Sequence, residues 1–177
     1  MTTLLWIDVE TDGLDPGSGH LLEVGLLATN SDLEPLDEGF FSPIRFDGSV
    51  DAFIGRMHGP NGLLAECRAA PPLDEVARWC RAYVARHLAA TPDVLVAGSS
   101  VSFDRRWLDA YMPGLLDRLG HRSLDVSAVD EASRLWAPDV RAARPDRTTD
   151  HRVRHCLADS IALARHYKEA LWDRSRG

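Results

Sequence analysis

Three runs of apolar residues at the start of the chain predict strands. The runs cover residues 4–10, 21–30 and 36–44, and they are rich in Leu, Val, Ile and Phe. The first stops at the turn-prone segment 11–20, and the other two are separated by the polar turn 30–35. Apolar, β-rich runs bounded by Gly, Pro, Asn and Asp are typical of strands. Together these runs predict a three-stranded antiparallel meander.

Helical periodicity follows the meander. Apolar residues recur at helical spacing over 73–89 and again from Val153 to about Trp172. Shorter pieces at 52–58 and 62–67 are also capable of forming helices, and they are separated by Gly59 and Pro60. The residues from Asp104 to Tyr111 predict a further helix, which Pro113 ends.

Two more strands are predicted in the second half of the chain. The short apolar run 93–98 has the pattern of a buried strand flanked by helices, and 123–136 predicts a short strand that turns into a helix. The polar segment 137–150, rich in Pro and Arg, is interpreted as a mobile loop. These elements predict one α/β domain over 1–177, in which a mixed central sheet of an antiparallel meander plus parallel strands is flanked by helices.

The composition is typical of a water-soluble protein in a reducing compartment. The chain has 177 residues, of which 45% are hydrophobic and 27% charged, and no apolar run approaches membrane-spanning length. The N-terminus lacks a signal-peptide pattern because Asp8 and Glu10 interrupt it, so we expect a cytoplasmic protein without a membrane partner. Three cysteines without a CxxC pair argue against a disulfide framework. A net charge of -7 argues against binding to long duplexes, which need a basic surface.

Asp8 and Glu10 are the first candidate functional residues. They are two positions apart on a predicted strand, so their side chains project from the same face. Two like charges at the end of a buried strand are unfavourable unless a cation lies between them. The pair therefore predicts a metal site, and the alternative is that both carboxylates lie beyond the buried part of the strand, in water.

Asp104 and Asp159 extend this candidate site. Asp104 follows a buried strand near the start of a helix, where an aspartate often caps the helix, and Asp159 lies beside Leu157 and Ile161 on an otherwise apolar helix face. Four carboxylates from three segments could hold two divalent cations for attack on a phosphodiester. Oxygen ligands without a Cys/His cluster favour Mg²⁺ or Mn²⁺ over Zn²⁺.

Two segments resemble the motifs of a known enzyme family. Residues 6–16 resemble the first motif of the DEDD-superfamily exonucleases in the form found in oligoribonucleases, and 98–129 resemble the second motif. The similarity continues through 131–140 and 160–170. It implies an RNase H-like fold and cleavage of nucleotides from 3′ ends with two metal ions. It also implies that Asp8, Glu10 and Asp104 are metal ligands.

The resemblance further implies substrate-binding residues. Leu14 matches a wedge against the bases, Ser100 a residue near the strand and Arg122 a residue near the terminal phosphate. His58 matches directly, whereas Phe53 stands where the family has tryptophan. A phenylalanine can still stack on a base. For Leu14 and Phe53, a role in packing is the alternative.

The third motif departs from the family pattern. The family places an aspartate five residues after its general-base histidine, but here Cys156 stands at that distance from His151. In one interpretation His151 is the base and Asp159 is the metal ligand. In another, His155 is the base, four residues before Asp159. Either histidine could take a proton near neutral pH, with a preference for His151, and a degraded site is the third possibility.

These observations predict a 3′-to-5′ exonuclease that hydrolyses short single-stranded RNA, possibly DNA, to nucleoside 5′-monophosphates, and that forms a homodimer as the resemblance implies. One alternative is a proofreading or trimming exonuclease on DNA or longer strands. Another is a non-catalytic nucleic-acid-binding module. In the family a tyrosine is donated across the dimer at the position that His121 occupies here.

Overall fold

The computed structural model describes residues 2–148 and 150–172. Met1, Thr149 and residues 173–177 lie outside the described residues. Both ends of the predicted domain and one position of the predicted 137–150 loop are therefore not part of the description.

Five strands form one mixed sheet in the order β3-β2-β1-β4-β5. The pairs β1–β2 and β2–β3 are antiparallel, whereas β1–β4 and β4–β5 are parallel. The meander and the parallel strands predicted from the sequence are thus confirmed. The strands are β1 (Thr3–Thr11), β2 (Leu21–Thr29), β3 (Phe40–Pro43), β4 (Val94–Gly98) and β5 (Ser123–Asp125).

Seven α-helices are found in the described residues, and a π-helical turn, Lys168–Trp172, follows the last of them. Most start and end where the apolar periodicity places them. The helices are α1 (Ala52–His58), α2 (Leu63–Cys67), α3 (Leu73–Ala90), α4 (Val101–Tyr111), α5 (Val126–Trp136), α6 (Pro138–Ala142) and α7 (Val153–Tyr167).

Three helices differ from the prediction, and one of them is α7, which ends at Tyr167 and continues to Trp172 as the π-helical turn. Helix α4 begins three residues before Asp104, because the Asp125 carboxylate accepts hydrogen bonds from the backbone N–H groups of Ser100 and Val101. This cap comes from a distant segment, so local sequence does not show it. Helix α6 occupies part of the segment interpreted as a loop, and Pro138 at its first turn fits a helix start.

Strand β1 is the central strand and is covered on both faces. Leu5, Ile7 and Val9 pack in the cluster that includes residues of α3 and α4, whereas Leu4 and Trp6 pack with residues of α7. A strand buried on both faces is expected to be apolar throughout. The two carboxylates near its end are therefore exceptions that need a physical explanation.

No helix in the described part of the chain is both long enough and apolar enough to cross a membrane.

Candidate active site

Asp8 and Glu10 lie on the face of β1 that α7 covers. Both belong to the even-numbered positions that include Leu4 and Trp6, so the two carboxylates point to the same side. The Oδ2 atom of Asp8 is buried and makes no hydrogen bond. Glu10 is buried as well. The two side chains share a face, as predicted. They are not solvated at the strand end, as the alternative had it.

Gly25 on β2 allows α7 to approach these carboxylates. It pairs with Asp8 in the sheet. A Cβ atom at Gly25 would lie 2.9 Å from the Val153 Cβ, closer than packed side chains allow, and 3.3 Å from a Leu157 methyl group, which is a tight contact. The first turns of α7 therefore rest directly on the β2 backbone, which brings Cys156 to the carboxylates.

Asp104 reaches β1 along the edge of the sheet. The pairing of β1 with β4 ends at Trp6 and Ala97, so the Val9 N–H has no partner strand on that side. The Asp104 Oδ1 accepts a hydrogen bond from this N–H at 3.0 Å. A buried backbone N–H needs an acceptor, and Asp104 supplies it. This buried carboxylate is thereby fixed close to Asp8.

Burial and mutual repulsion disfavour the charged forms of all three carboxyl groups. Burial raises the pKa of Asp8, and the nearby charges of Asp104 and Glu10 raise it further. Burial, followed by the charge of Glu23, raises the pKa of Glu10 to about 7. The pKa of Asp104 is raised by burial, although its hydrogen bond to Val9 opposes this. A carboxyl cluster of this kind is stabilised by a cation placed among its oxygens.

A cleft of about 550 Å³ adjoins Glu10, and we call it the β1 cleft. Its lining includes Glu10 and four other residues predicted from the sequence, Leu14, Phe53, His58 and His151. Leu14 is 81% exposed and Phe53 is 60% exposed. Since side chains this exposed contribute little to a core, the packing alternative does not describe them. The structure thus brings four predicted site residues around one opening beside Glu10.

His58 forms the floor of this cleft. It is fully buried, and its Nε2 lies 3.6 Å from the Glu10 Oε2. Backbone groups of Thr11 and His151 lie within hydrogen-bonding reach of the ring. Burial lowers the pKa of His58. The imidazole is therefore held neutral next to the carboxylate cluster.

The two candidate histidines of the third motif lie in different environments. His151 lines the β1 cleft, and its ring centroid is 6.1 Å from that of His58. Its φ of 56° is in the left-handed region, which is unusual for a residue other than glycine. His155 is exposed and contacts the Asp150 carboxylate at 2.7 Å. Only His151 of the two contributes to the lining of the cleft.

Asn61 holds the backbone at His151. Its Nδ2 donates to the carbonyl oxygens of Asp150 at 2.7 Å and of His151 at 3.0 Å. Its Oδ1 accepts from the Leu63 N–H at 3.0 Å. The side chain therefore joins the start of α2 to the unusual turn at His151. No role was predicted for Asn61 from the sequence.

A second connection that sequence reasoning missed is an ion-pair network at the start of α7. The guanidinium of Arg152 contacts the carboxylates of Glu23 at 2.8 Å and Glu66 at 2.7 Å. Glu23 also accepts from the Val153 N–H at 3.1 Å, which satisfies the first turn of the helix. Glu23 is buried among apolar strand residues. The presence of a glutamate in an otherwise apolar strand could have indicated from the sequence that Glu23 pairs with a basic side chain.

The fourth predicted ligand, Asp159, is not part of the cluster around Asp8. Its carboxylate accepts hydrogen bonds from the backbone N–H and the hydroxyl of Thr148, at 2.9 and 2.8 Å. The potential ligand atoms of Asp8, Glu10 and Cys156 all lie within 4.8 Å of one another. Cys156, one turn before Asp159 on α7, is therefore the residue of that helix that the structure places against the carboxylates.

The remaining predicted residues lie at the surface. Ser100 is exposed at the start of α4, with a φ of 60°, and its hydroxyl is 3.3 Å from that of Ser127. Arg122 is exposed immediately before β5. Neither residue lines the β1 cleft.

Comparison with known proteins agrees with this geometry. A family model described as Exonuclease matches residues 5–165, which include the carboxylates of β1, Asp104 and most of α7. The chain belongs to the exonuclease family. The match spans nearly all of the described sheet and so covers every strand except the first two residues of β1.

Several curated members of the exonuclease family are similar over almost the whole chain. An oligoribonuclease from Tropheryma whipplei is 34% identical over 170 residues, which is 94% of this chain and 91% of that protein. A probable oligoribonuclease from Schizosaccharomyces pombe is 32% identical over 170 residues, which is 93% of this chain and 67% of that protein. The resemblance stated from the motifs is therefore confirmed.

Solved exonuclease I structures share the fold. E. coli exonuclease I in complex with a dA16 oligonucleotide superimposes with a TM-score of 0.68 over 95% of this chain, at 18% identity. An exonuclease I from Methylocaldum szegediense gives a TM-score of 0.70 over 97% of this chain, at 17% identity. This chain spans 41% of the length of each. The predicted RNase H-like fold is confirmed.

Proposed function

We propose that the protein is a 3′-to-5′ exonuclease that hydrolyses short single-stranded oligoribonucleotides to nucleoside 5′-monophosphates. The observation that carries the proposal is the cluster of half-buried Asp8 with buried Glu10 and Asp104 beside the β1 cleft, whose lining includes exposed Leu14 and Phe53. Similarity to curated oligoribonucleases over most of the chain supports short RNA as the substrate class.

The three carboxylates fit divalent cations. The unpartnered Oδ2 of Asp8 and the raised pKa values of Asp8, Glu10 and Asp104 are features that bound cations correct. We assign these three residues as ligands of Mg²⁺ or Mn²⁺. When bound, two such cations polarise water for attack and stabilise the charge that develops on the phosphate. The protein contributes a water-poor setting in which these charges act strongly.

The cleft residues position the substrate and handle the proton. We assign His151 as the general base, because it alone of the two candidate histidines lines the cleft that contains Glu10. Exposed Phe53 offers a ring on which a base can stack, and exposed Leu14 can act as a wedge against the bases. Buried His58 lies against Glu10 and limits how that carboxylate can turn. Ser100 and Arg122 remain assigned to the strand and the terminal phosphate.

The substrate assignment is tested with labelled dinucleotides and heptanucleotides of RNA and DNA, with Mg²⁺ or Mn²⁺. We expect complete conversion of the RNA dinucleotide to monophosphates and no hydrolysis by the Asp8→Asn variant. Preference for long strands or for DNA would instead identify a trimming or proofreading enzyme. Binding of oligonucleotides without hydrolysis at any metal concentration would identify a non-catalytic binding module.

The histidine assignment predicts opposite outcomes for two matched variants. His151→Ala should lower kcat by roughly a hundredfold to ten-thousandfold and flatten the acid limb of the pH–rate profile, as expected for loss of a general base. His155→Ala should have little effect, since that side chain is exposed and paired with Asp150. Steady-state kinetics over a pH series on the RNA dinucleotide measure both. Collapse in His155→Ala with full activity in His151→Ala would transfer the role.

A further inference from the structure

The thiol of Cys156 lies against the carboxylates of β1. Cys156 is in the first turns of α7, and its Sγ is 3.6 Å from the Glu10 Oε1. The sulfur and one oxygen each of Asp8 and Glu10 are mutually within 4.8 Å. Within residues 2–148 and 150–172, this is the one group of three or more His, Cys, Asp or Glu side chains with metal-ligand spacing.

An unpartnered carboxylate oxygen also points to a ligand at this place. The Asp8 Oδ2 is buried without a hydrogen bond. The Nε2 of the fully buried His58 faces the Glu10 carboxylate at 3.6 Å. Buried polar atoms are normally satisfied, so an unpartnered carboxylate oxygen inside this acidic cluster indicates a bound species. The acidic surroundings require that species to be a cation.

The hydrogen bonds of α7 determine which of its side chains joins the cluster. The Asp159 carboxylate is engaged by the backbone and hydroxyl of Thr148. Val153, one turn before Cys156, packs closely on Gly25, and this contact fixes the distance of α7 from the sheet and its rotation about its axis. Cys156 is consequently the α7 side chain that contacts Glu10.

We propose that Cys156 is a direct metal ligand beside Asp8 and Glu10, which makes the site a mixed sulfur–oxygen site that prefers a thiophilic transition ion such as Zn²⁺ or Co²⁺ over Mg²⁺. This inference rests on the proposed function: the carboxylates alone fit Mg²⁺ or Mn²⁺, and adding the Cys156 sulfur to that ligand set shifts the preference towards Zn²⁺ or Co²⁺. Thiolate sulfur binds borderline-soft ions well, whereas Mg²⁺ requires oxygen ligands in octahedral geometry. Binding releases the thiol proton to solvent and forms one sulfur–metal bond.

Cobalt titration of the intact protein without nucleic acid tests the sulfur–metal bond directly. We expect Co²⁺ to produce a sulfur-to-metal charge-transfer absorption in the wild type. The band should be absent in Cys156→Ser and in Asp8→Asn. Both variants retain the buried Cys67 and Cys80, which therefore serve as internal controls for cobalt binding to other thiols. Co²⁺ bound to the wild type without this band would overturn the inference, and so would a band that persists in Asp8→Asn.

Metal selectivity, measured by calorimetry, gives a second readout. Cys156→Asp should gain at least roughly tenfold in Mg²⁺ affinity relative to Zn²⁺, since even residues outside the ligand shell change affinity by ten- to a hundredfold. Equal selectivity in wild type and Cys156→Asp would contradict the inference. Mg²⁺ binding and RNA hydrolysis without any sulfur–metal signal would overturn this inference and leave the proposed function intact. Failure of every divalent ion to bind the wild type would remove the proposed function as well.

Discussion

The charge state of Glu10 depends on what surrounds it in the folded chain. Burial and the charge of Glu23 raise its pKa to about 7, from an ordinary value of 4.5. The folded state therefore keeps this proton at a pH where the unfolded chain has lost it. The stability that Glu10 contributes is present below about pH 4.5 and is lost as the pH rises through about 7.

This shift predicts how stability depends on pH when divalent cations are removed by chelation. Across pH 4.5 to 7, Glu10 should lower the free energy of unfolding by on the order of 3 kcal/mol. His58, whose pKa is lowered by burial, acts in the opposite direction over part of this range. The measurement is therefore the difference between wild type and Glu10→Gln in denaturant unfolding at several pH values. A difference that does not change with pH would contradict the shift.

Substitutions of Asp8 and Asp104 are predicted to affect the stability of the protein differently, although both residues are assigned as metal ligands. Asp8→Asn should lower the rate of hydrolysis by on the order of a thousandfold or more. It should leave the metal-free thermal midpoint unchanged or higher, because repulsion with Asp104 and Glu10 is relieved. Wild-type rates in Asp8→Asn at saturating Mn²⁺ would contradict the ligand assignment.

Asp104→Ala, in contrast, should also destabilise the fold. It leaves the buried Val9 N–H without its acceptor, a loss of about 1–3 kcal/mol. Asp104→Asn retains an oxygen that can accept this hydrogen bond and serves as the matched control. Comparison of the two variants by thermal unfolding separates the structural role of Asp104 from its role as a ligand.

At the scale of elements, the start of α7 is held by contacts from three other elements. Glu23 of β2 and Glu66 of α2 bind Arg152, and Asn61 before α2 binds the carbonyl groups at His151. Glu23 is largely buried, so its pairing with Arg152 also prevents an uncompensated charge next to Glu10. The position of His151 and Cys156 thus depends on segments far away in sequence.

The Asn61→Asp variant tests this connection. Aspartate keeps the acceptor for the Leu63 N–H but loses the Nδ2 donor to Asp150 and His151. We expect a loss of roughly 1 kcal/mol in stability and a larger relative fall in kcat than in KM, because His151 is no longer held in its left-handed conformation. Unfolding curves and dinucleotide kinetics measure the two effects. Unchanged kcat would show that His151 needs no such support.

At the scale of the whole molecule, we expect a homodimer with the segment around His121 and Arg122 near the interface. Both residues are exposed between α4 and β5, so this surface is accessible to a second copy. Light scattering should give a mass of twice 19.6 kDa. A strictly monomeric protein that still degrades dinucleotides would contradict a site shared between subunits.

Much of this architecture followed from periodicity in the sequence. Apolar runs predicted the strands, helical spacing predicted α3 and α7, and the two-residue separation of Asp8 and Glu10 predicted that both side chains lie on one face. These are properties of local backbone geometry, which a sequence pattern encodes directly. The start of α4 was missed because its cap, Asp125, is distant in sequence.

The sequence by itself determined the type of fold, the family and the two carboxylates of β1, since each depends on local pattern or on contiguous motifs. Only the tertiary structure decided which side chain of α7 meets those carboxylates. Periodicity states that Cys156 and Asp159 are one turn apart, but not how the helix is rotated against the sheet. Packing of Val153 on Gly25 and the bond from Glu23 to the Val153 N–H set that rotation, and they place Cys156 at Glu10 while Thr148 holds Asp159.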